Sequence, residues 1–392
     1  MIKSKTLLPV FGIASILGCA VWTDAYAGQT GVSQQGLVTV FTVPLEQTQT
    51  SGGIDYVNAQ PLELPIAPSD IAKQAQDDLI SAFTSQSLLG EASGYSPGGQ
   101  GDGKTSPVNL GVPAVSNANS GDVAPQEFGT QNHPFNTARA DLNEQQNNTI
   151  YPYRASGKLF FKIGADTFIC SASLIKPGIV VTAAHCVANF GKSQFHSNWQ
   201  FVPGYRNGVA PYGTWSVIQA RVLTPYYNGT DPCAVSGIIC QDDIAVLALK
   251  AQGGVNVGTN TGWYGVGWNG YGFAGGLNQI TQIGYPACLD NAKFMERNDS
   301  YGFTSDNLSN NTVIGSQMCG GSSGGPWLVN FGRPPALTGN TAGTAPGRNT
   351  VVGVTSWGYV GTSAKEQGAS PFLSGNIVKL LNDQCAATPG KC

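Results

Sequence analysis

Gly320-Gly-Ser-Ser-Gly-Gly-Pro-Trp-Leu328 sets two serines among four glycines, directly ahead of an apolar pair. Glycine allows a sharp turn with an exposed backbone amide, so one of these hydroxyls can be presented at a bend. An alcohol is a poor nucleophile at neutral pH and needs a base within hydrogen-bond reach, itself oriented by a carboxylate. Upstream, and in this order, stand Thr182-Ala-Ala-His-Cys186 and Asp243-Ile-Ala-Val-Leu247. The chain holds only 3 histidines, His133, His185 and His196. His185 follows the apolar run from Gly178 to Ala184, whereas His133 and His196 lie in polar, turn-like stretches and are expected to be solvated loop residues. His185, Asp243 and Ser323 are therefore the candidate base, orienting acid and nucleophile. Asp242 is the alternative acid, but Asp243 stands immediately before the apolar run.

The chain has 392 residues, a formal net charge of -3 and 11% charged residues. No basic patch stands out, so nucleic acid is not expected as a partner. The 52 glycines, with frequent Asn, Ser and Thr, belong to a loop-rich β protein. No cysteine pair has CxxC spacing and no HExxH occurs, so neither a zinc site nor any other cofactor is expected.

Residues 1–27 read as an export signal: Lys3 and Lys5, an apolar stretch from Leu7 to Ala20, and Ala25-Tyr-Ala27 at the cleavage point. The apolar stretch is short for a membrane span. Ile16-Leu-Gly-Cys19 offers a second reading, lipidation at Cys19. Of 9 cysteines, removing Cys19 leaves an even set in either reading, which suits an oxidising compartment. A secreted or periplasmic location is expected.

Residues 28–150 are rich in Gln, Ser, Gly, Asn and Pro. They read as a low-complexity segment, either a spacer or a pro-region that assists folding or covers the active site. Ser93–Asp102 reads as flexible linker. A helix capped by Asp70, with Ile71, Ala75, Leu79 and Phe83 on one face, is expected within the segment. From Tyr151 onward come short β runs at Leu159–Ile163, Phe168–Ile175, Ile179–Thr182, Trp215–Leu223, Ile244–Leu249, Gln279–Ile283 and Val351–Thr355. Glycine, proline and asparagine punctuate them, a pattern of barrels or a sandwich. Asn376-Ile-Val-Lys-Leu-Leu381 reads as a C-terminal helix.

Taken together, Thr182-Ala-Ala-His-Cys186, Asp243-Ile-Ala-Val-Leu247 and Gly321-Ser-Ser-Gly-Gly-Pro326 resemble the trypsin-like, chymotrypsin-fold serine proteases over roughly Tyr151 to Cys385. Tyr153-Arg-Ala-Ser-Gly-Lys-Leu-Phe-Phe161, Cys170-Ser-Ala-Ser-Leu-Ile175 and Gly284-Tyr-Pro286 are similar to the bacterial V8-like, glutamyl-endopeptidase-like branch. The resemblance implies an all-β fold of two antiparallel six-stranded β-barrels with a C-terminal helix, residues 151–392 forming the protease domain. It implies hydrolysis of peptide bonds by His185, Asp243 and Ser323, with Gly321 and Ser323 amides as the oxyanion hole. Ser356-Trp-Gly358 resembles the strand edge that pairs with extended substrate; an ordinary core strand is the alternative. The resemblance also implies a Cys170–Cys186 disulfide. Cys233 with Cys240, Cys288 with Cys319, and Cys385 with Cys392 are the other expected pairs, with further connectivities open. The partners expected are protein or peptide substrates, acted on by a monomer.

Two departures stand out. Ser322 occupies the place of the family's usual Asp, and the Arg-Ile-Val-Gly-Gly activation site is missing, so activation by a buried N-terminal ion pair is not expected. Gln317 stands where trypsin has its specificity Asp, and Thr355 where glutamyl endopeptidases have a His, so a neutral pocket is expected. A non-catalytic protease-like binding protein using the same cleft is the alternative function. An α/β-hydrolase, which Gly321-x-Ser-x-Gly325 also fits, requires a histidine after the serine, and none follows Ser323.

Overall fold

The structure is a computed structural model that describes residues 29, 31–45, 53–68, 92–114, 127–128, 133–141, 146–273, 276–332, 345–359 and 365–392. The signal segment, Cys19 and the helix expected at 70–83 lie outside the described residues. Two closed barrels organise the chain. In the first, Ser156–Ile163 pairs with Asp166–Lys176, which pairs with Ile179–Thr182 and through it with Ala245–Leu249. Trp215–Leu223 closes the ring by bonding Ala245–Leu249 on one edge and Ser197–Pro203 on the other, the latter returning to Ser156–Ile163. In the second, Leu277–Gly284, Pro326–Val329, Thr350–Gly358, Glu366–Ala369, Asn311–Gly315 and Glu296–Ser305 form the circuit in that order. Closure pairs each barrel strand with two neighbours over part of its length, and apolar side chains are buried within. Leu159, Phe160, Val180, Phe201, Val222 and Leu247 are all fully buried in the first barrel. Burying each such side chain contributes about 1.5–3 kcal/mol.

Every strand read from an apolar run is present. Five further strands of the two barrels were not expected: Ser197–Pro203, Glu296–Ser305, Asn311–Gly315, Pro326–Val329 and Glu366–Ala369. After the second barrel the chain takes a π-helical turn, Ser374–Val378, into the α-helix Lys379–Ala387. This helix returns to the first barrel, where the buried Gln384 accepts a hydrogen bond from the buried Arg221. Among the described residues no helix is long and apolar enough to cross a membrane.

The segment before Tyr151 is built into both barrels. The hairpin Val32–Gln35/Val38–Thr42 adds to Trp215–Leu223 beyond the point where Ser197–Pro203 stops pairing. Pro134–Arg139 pairs with Glu296–Ser305, so the second sheet reaches across the boundary expected at 151. The expected linker at 93–102 is held down instead. Gly94–Ser96 pairs with Gly265–Trp268, and Arg154 donates to the Gln100 carbonyl at 2.7 Å. Its glycines serve close packing: a Cβ on Gly94 would lie 2.2 Å from the Trp268 ring, and one on Gly98 2.4 Å from the Trp263 carbonyl.

Candidate active site

Antiparallel pairing places the first two candidates together. Thr182 lies opposite Ala245, so the chain leaving one strand and the chain entering the other meet at the same barrel end. Three residues past Thr182, on a 3-10 turn, His185 turns Nδ1 to Asp243 Oδ2 at 2.7 Å, while its backbone N–H donates to Asp243 Oδ1 at 2.8 Å. The bond Cys170–Cys186 ties this turn to the neighbouring strand. Asp243 is buried. Burial alone would raise its carboxyl pKa, but the His185 charge and the hydrogen bonds from His185 and Ser356 outweigh it and hold the carboxyl below its ordinary value. Asp242 faces elsewhere, accepting from Asn376 Nδ2 at 3.3 Å. Burial raises the Asp242 carboxyl to about 6, and burial with the Asp242 charge raises Asp231 to about 8.

The third candidate comes from the second barrel. Ser323 lies on the loop between Asn311–Gly315 and Pro326–Val329. Its carbonyl accepts from Ser171 N–H at 2.7 Å, and the next amide, Gly324 N–H, donates to Thr355 O at 2.7 Å. Gly324 presses against the strand that leads to His185: a Cβ there would lie 1.9 Å from Thr182 Oγ1 and 2.5 Å from Ser171 O, with φ at +76°. Only glycine fits. Ser322, in place of the family's acid, donates its hydroxyl to Cys319 O at 2.7 Å, so the loop is braced locally without an N-terminal amine. Two buried side-chain atoms in this region have no hydrogen-bond partner, His185 Nε2 and Ser323 Oγ. Both are the atoms that the sequence reading makes base and nucleophile.

The remaining expected residues divide. Gly321 N–H donates to the carbonyl of Leu62 at 3.0 Å, and Gly358 bonds through both backbone groups to Pro65 and Ala67. Ser356 turns its hydroxyl to Asp243 Oδ2 at 2.6 Å, so its side chain serves the acid. Trp357 is fully buried and donates Nε1–H to Asn311 Oδ1 at 2.8 Å. The Thr355 hydroxyl is occupied, accepting from Gln282 Nε2 at 2.8 Å and Trp327 Nε1 at 2.9 Å. Gln317 is half-buried. Beside Ser323, Gln282, Ser316, Thr355 and Gln367 form one hydrogen-bonded group, with Gln367 Nε2 also donating to Met318 O at 2.7 Å. Gln282, Ser316 and Gln367 carry no motif and were not expected. The structure also holds the disulfides Cys233–Cys240, Cys288–Cys319 and Cys385–Cys392.

Two histidines depart from expectation. His133 is fully buried, with Nδ1 2.9 Å from Glu366 Oε1 and Nε2 2.6 Å from Tyr301 O. His196 is buried against Phe161, ring centroids 5.3 Å apart, and its Nε2–H donates to His185 O at 3.0 Å. Both precede strands, and pairing draws them inward where a polar local sequence reads as loop. His196 thereby supports the backbone of His185.

Metal-ligand residue types converge at two places among the described residues, Cys170/His185/Cys186 and Asp231/Cys233/Cys240. In both the sulfurs are bonded to one another, so neither site offers the thiolates a zinc ion needs. Neither donor set fits a metal.

Residues 143–372 match the family described as Trypsin. A Bacillus subtilis (strain 168) protein named extracellular metalloprotease is 32% identical over 122 residues, which is 30% of this chain and 34% of that protein. The chain thus spans about a third of this curated relative. Among solved structures, protease Anisep from Arthrobacter nicotinovorans is 26% identical, with a TM-score of 0.47, covering 60% of this chain and 96% of that one. The thermostable serine protease AL20 from an extremophilic microorganism is 23% identical, with a TM-score of 0.46 and coverage of 60% and 98%. A Glu endopeptidase in complex with MPD is 18% identical, with a TM-score of 0.45 and coverage of 64% and 96%.

Proposed function

This chain belongs to the trypsin family, and from that premise we propose that it is an exported serine endopeptidase acting through His185, Asp243 and Ser323. The observation that carries the reading is the His185–Asp243 pair with two orphaned buried atoms beyond it, His185 Nε2 and Ser323 Oγ. Asp243 accepts at Nδ1, which leaves Nε2 as the basic nitrogen. Ser323 Oγ forms a bond to the substrate carbonyl carbon and passes its proton to Nε2. The carbonyl oxygen becomes an oxyanion, for which the Gly321 and Ser323 amides are donors. Collapse breaks the C–N bond; His185 returns the proton to the leaving amine, and water then hydrolyses the Ser323 ester by the same relay.

Ser323→Ala should lower casein hydrolysis by roughly four to six orders of magnitude and abolish labelling by a fluorophosphonate. A folded Ser323→Ala chain that still cleaves would sink the reading. Substrate preference is assigned to uncharged residues before the scissile bond, since Gln317, Gln282, Thr355 and Gln367 bring only neutral groups to the loop that carries Ser323. In a peptide panel varying that residue, uncharged side chains should be cleaved best; strong selection for Arg, Lys or Glu would oppose the assignment. Export through the leader at 1–27 is supported by four disulfides, which persist in an oxidising compartment. Intact mass of the secreted protein tests it and distinguishes cleavage after Ala27 from lipidation at Cys19.

A further inference from the structure

Residues 60–67 thread between the barrels and bond, in order, to the groups a substrate would use. Gln60 and Pro61 pair in parallel with Phe168 and Ile169, and Leu62 N–H donates to Ile169 O at 3.0 Å. Leu62 O then accepts from Gly321 N–H at 3.0 Å. Pro65 O accepts from Gly358 N–H at 3.0 Å, and Ala67 N–H donates to Gly358 O at 3.1 Å, a parallel bridge centred on Ile66. The buried side chains of this segment, Leu64 and Ala67, lie three residues apart. Leu64 is 2% exposed, with Cδ1 3.4 Å from where a Gly358 Cβ would stand, and the buried Ala67 packs in the cluster of Trp357 and Tyr359, while Glu63 and Ile66 face solvent. This is strand addition to an open edge, supplied by the chain itself.

Its direction is decisive. The segment enters beside Ile169 and leaves along Gly358. Ile169 adjoins Cys170, whose disulfide partner Cys186 adjoins His185, so the segment enters beside the strand that is tied to the base's turn. A productive peptide must hold its leaving amine, on the C-terminal side of the scissile bond, near His185 Nε2. Here the C-terminal side of Leu62 runs away toward Gly358. The Leu62 carbonyl fills the Gly321 amide's bonding position, and the chain that follows it runs on to the Gly358 backbone.

We propose that residues 60–67 are an autoinhibitory strap, bound in cis against the direction of a substrate, which holds the full chain latent and is itself a poor substrate for the site it covers. The proposal rests on the endopeptidase reading of that site. Activation then requires a cut in the chain between the strap and the strand Pro134–Arg139, followed by release of the strap.

The test compares uncut full-length chains, verified by intact mass: wild type, Leu64→Asp, which puts a charge in the buried contact, and Ala67→Pro, which removes the N–H that bonds Gly358. The readout is the initial rate at which a fluorophosphonate labels Ser323, with Ser323→Ala as the blank and thermal melts to confirm folding. Each strap variant should label at least roughly tenfold faster than wild type, given the buried leucine and the hydrogen bond removed. A synthetic peptide of residues 60–68 added to the Leu64→Asp chain should slow labelling again, and the same composition in reversed order should not. Equal rates for folded wild type and variants, all above the blank, would overturn the strap and leave the site standing. No labelling in any folded chain, even after limited proteolysis between the strap and Pro134–Arg139, would overturn the endopeptidase reading and the strap with it.

Discussion

His196 shows how a single buried ring supports the site without touching a substrate. Its Nε2–H donates to the His185 carbonyl, and burial pushes its pKa down from 6.5 to about 4. The folded chain therefore keeps the ring neutral where the unfolded chain would protonate it. As pH falls from 6.5 to about 4 the unfolded state binds the extra proton, so stability declines through this window and the loss levels off below it. The contribution is on the order of 3 kcal/mol, from the size of the shift. In His196→Gln, whose amide can still donate to the carbonyl, this part of the acid destabilisation should vanish. Urea midpoints for both chains at pH 7 and pH 4.5 measure it; parallel acid losses would show that His196 is not the group responsible. The Gly324 contact makes the same point in space, since no side chain could stand between the Ser323 loop and Thr182.

At the scale of elements, the strands that were legible are those with apolar runs, and the strand hardest to see was Glu296–Ser305. Its sequence, Glu-Arg-Asn-Asp-Ser-Tyr-Gly-Phe-Thr-Ser, reads as a loop, yet Glu296, Asn298, Ser300 and Ser305 are buried. Two of these polar side chains are bonded across strands: Asn298 accepts from Thr137 at 2.6 Å and donates to Gly315 O at 2.9 Å, and Ser300 donates to Pro134 O at 2.8 Å. Partners on Pro134–Arg139 and Asn311–Gly315 replace the water such groups would otherwise require. Those partners are distant in sequence, so alternation of apolar residues could not reveal the strand. The glycine-rich stretch at 93–102 failed as a linker for a related reason: glycine signals either freedom or close approach, and only the presence of Trp263 and Trp268 decides between them.

For the whole molecule, the docking of the barrels sets the chemistry of Asp243. The acid comes from the first barrel and its third hydrogen-bond donor, Ser356, from the second. Removing that donor in Ser356→Ala should lower kcat by about tenfold, a typical share of a hydrogen bond to a charged group. Because hydrogen bonding stabilises the ionised carboxyl, its loss raises the Asp243 pKa, and the acid limb of the kcat profile should move to higher pH. A kcat–pH profile identical to wild type would show that the second barrel does not tune the acid. The same packing explains why the segment before the protease domain belongs to the structure: its hairpin completes a strand edge of one barrel, Pro134–Arg139 extends the other, and residues 60–67 lie between them.

The candidate base, acid and serine and the β class were readable from the sequence, because local motifs and apolar periodicity record what short stretches must do; of the cysteine pairs, Cys170–Cys186 followed from the family resemblance and the other three were one connectivity among several. Tertiary structure alone buried His133 and His196, turned Thr355 inward, and laid residues 60–67 between the barrels. Each of these depends on which backbone and polar groups meet across long sequence separations, and a hydrogen bond between distant segments leaves no pattern in either one.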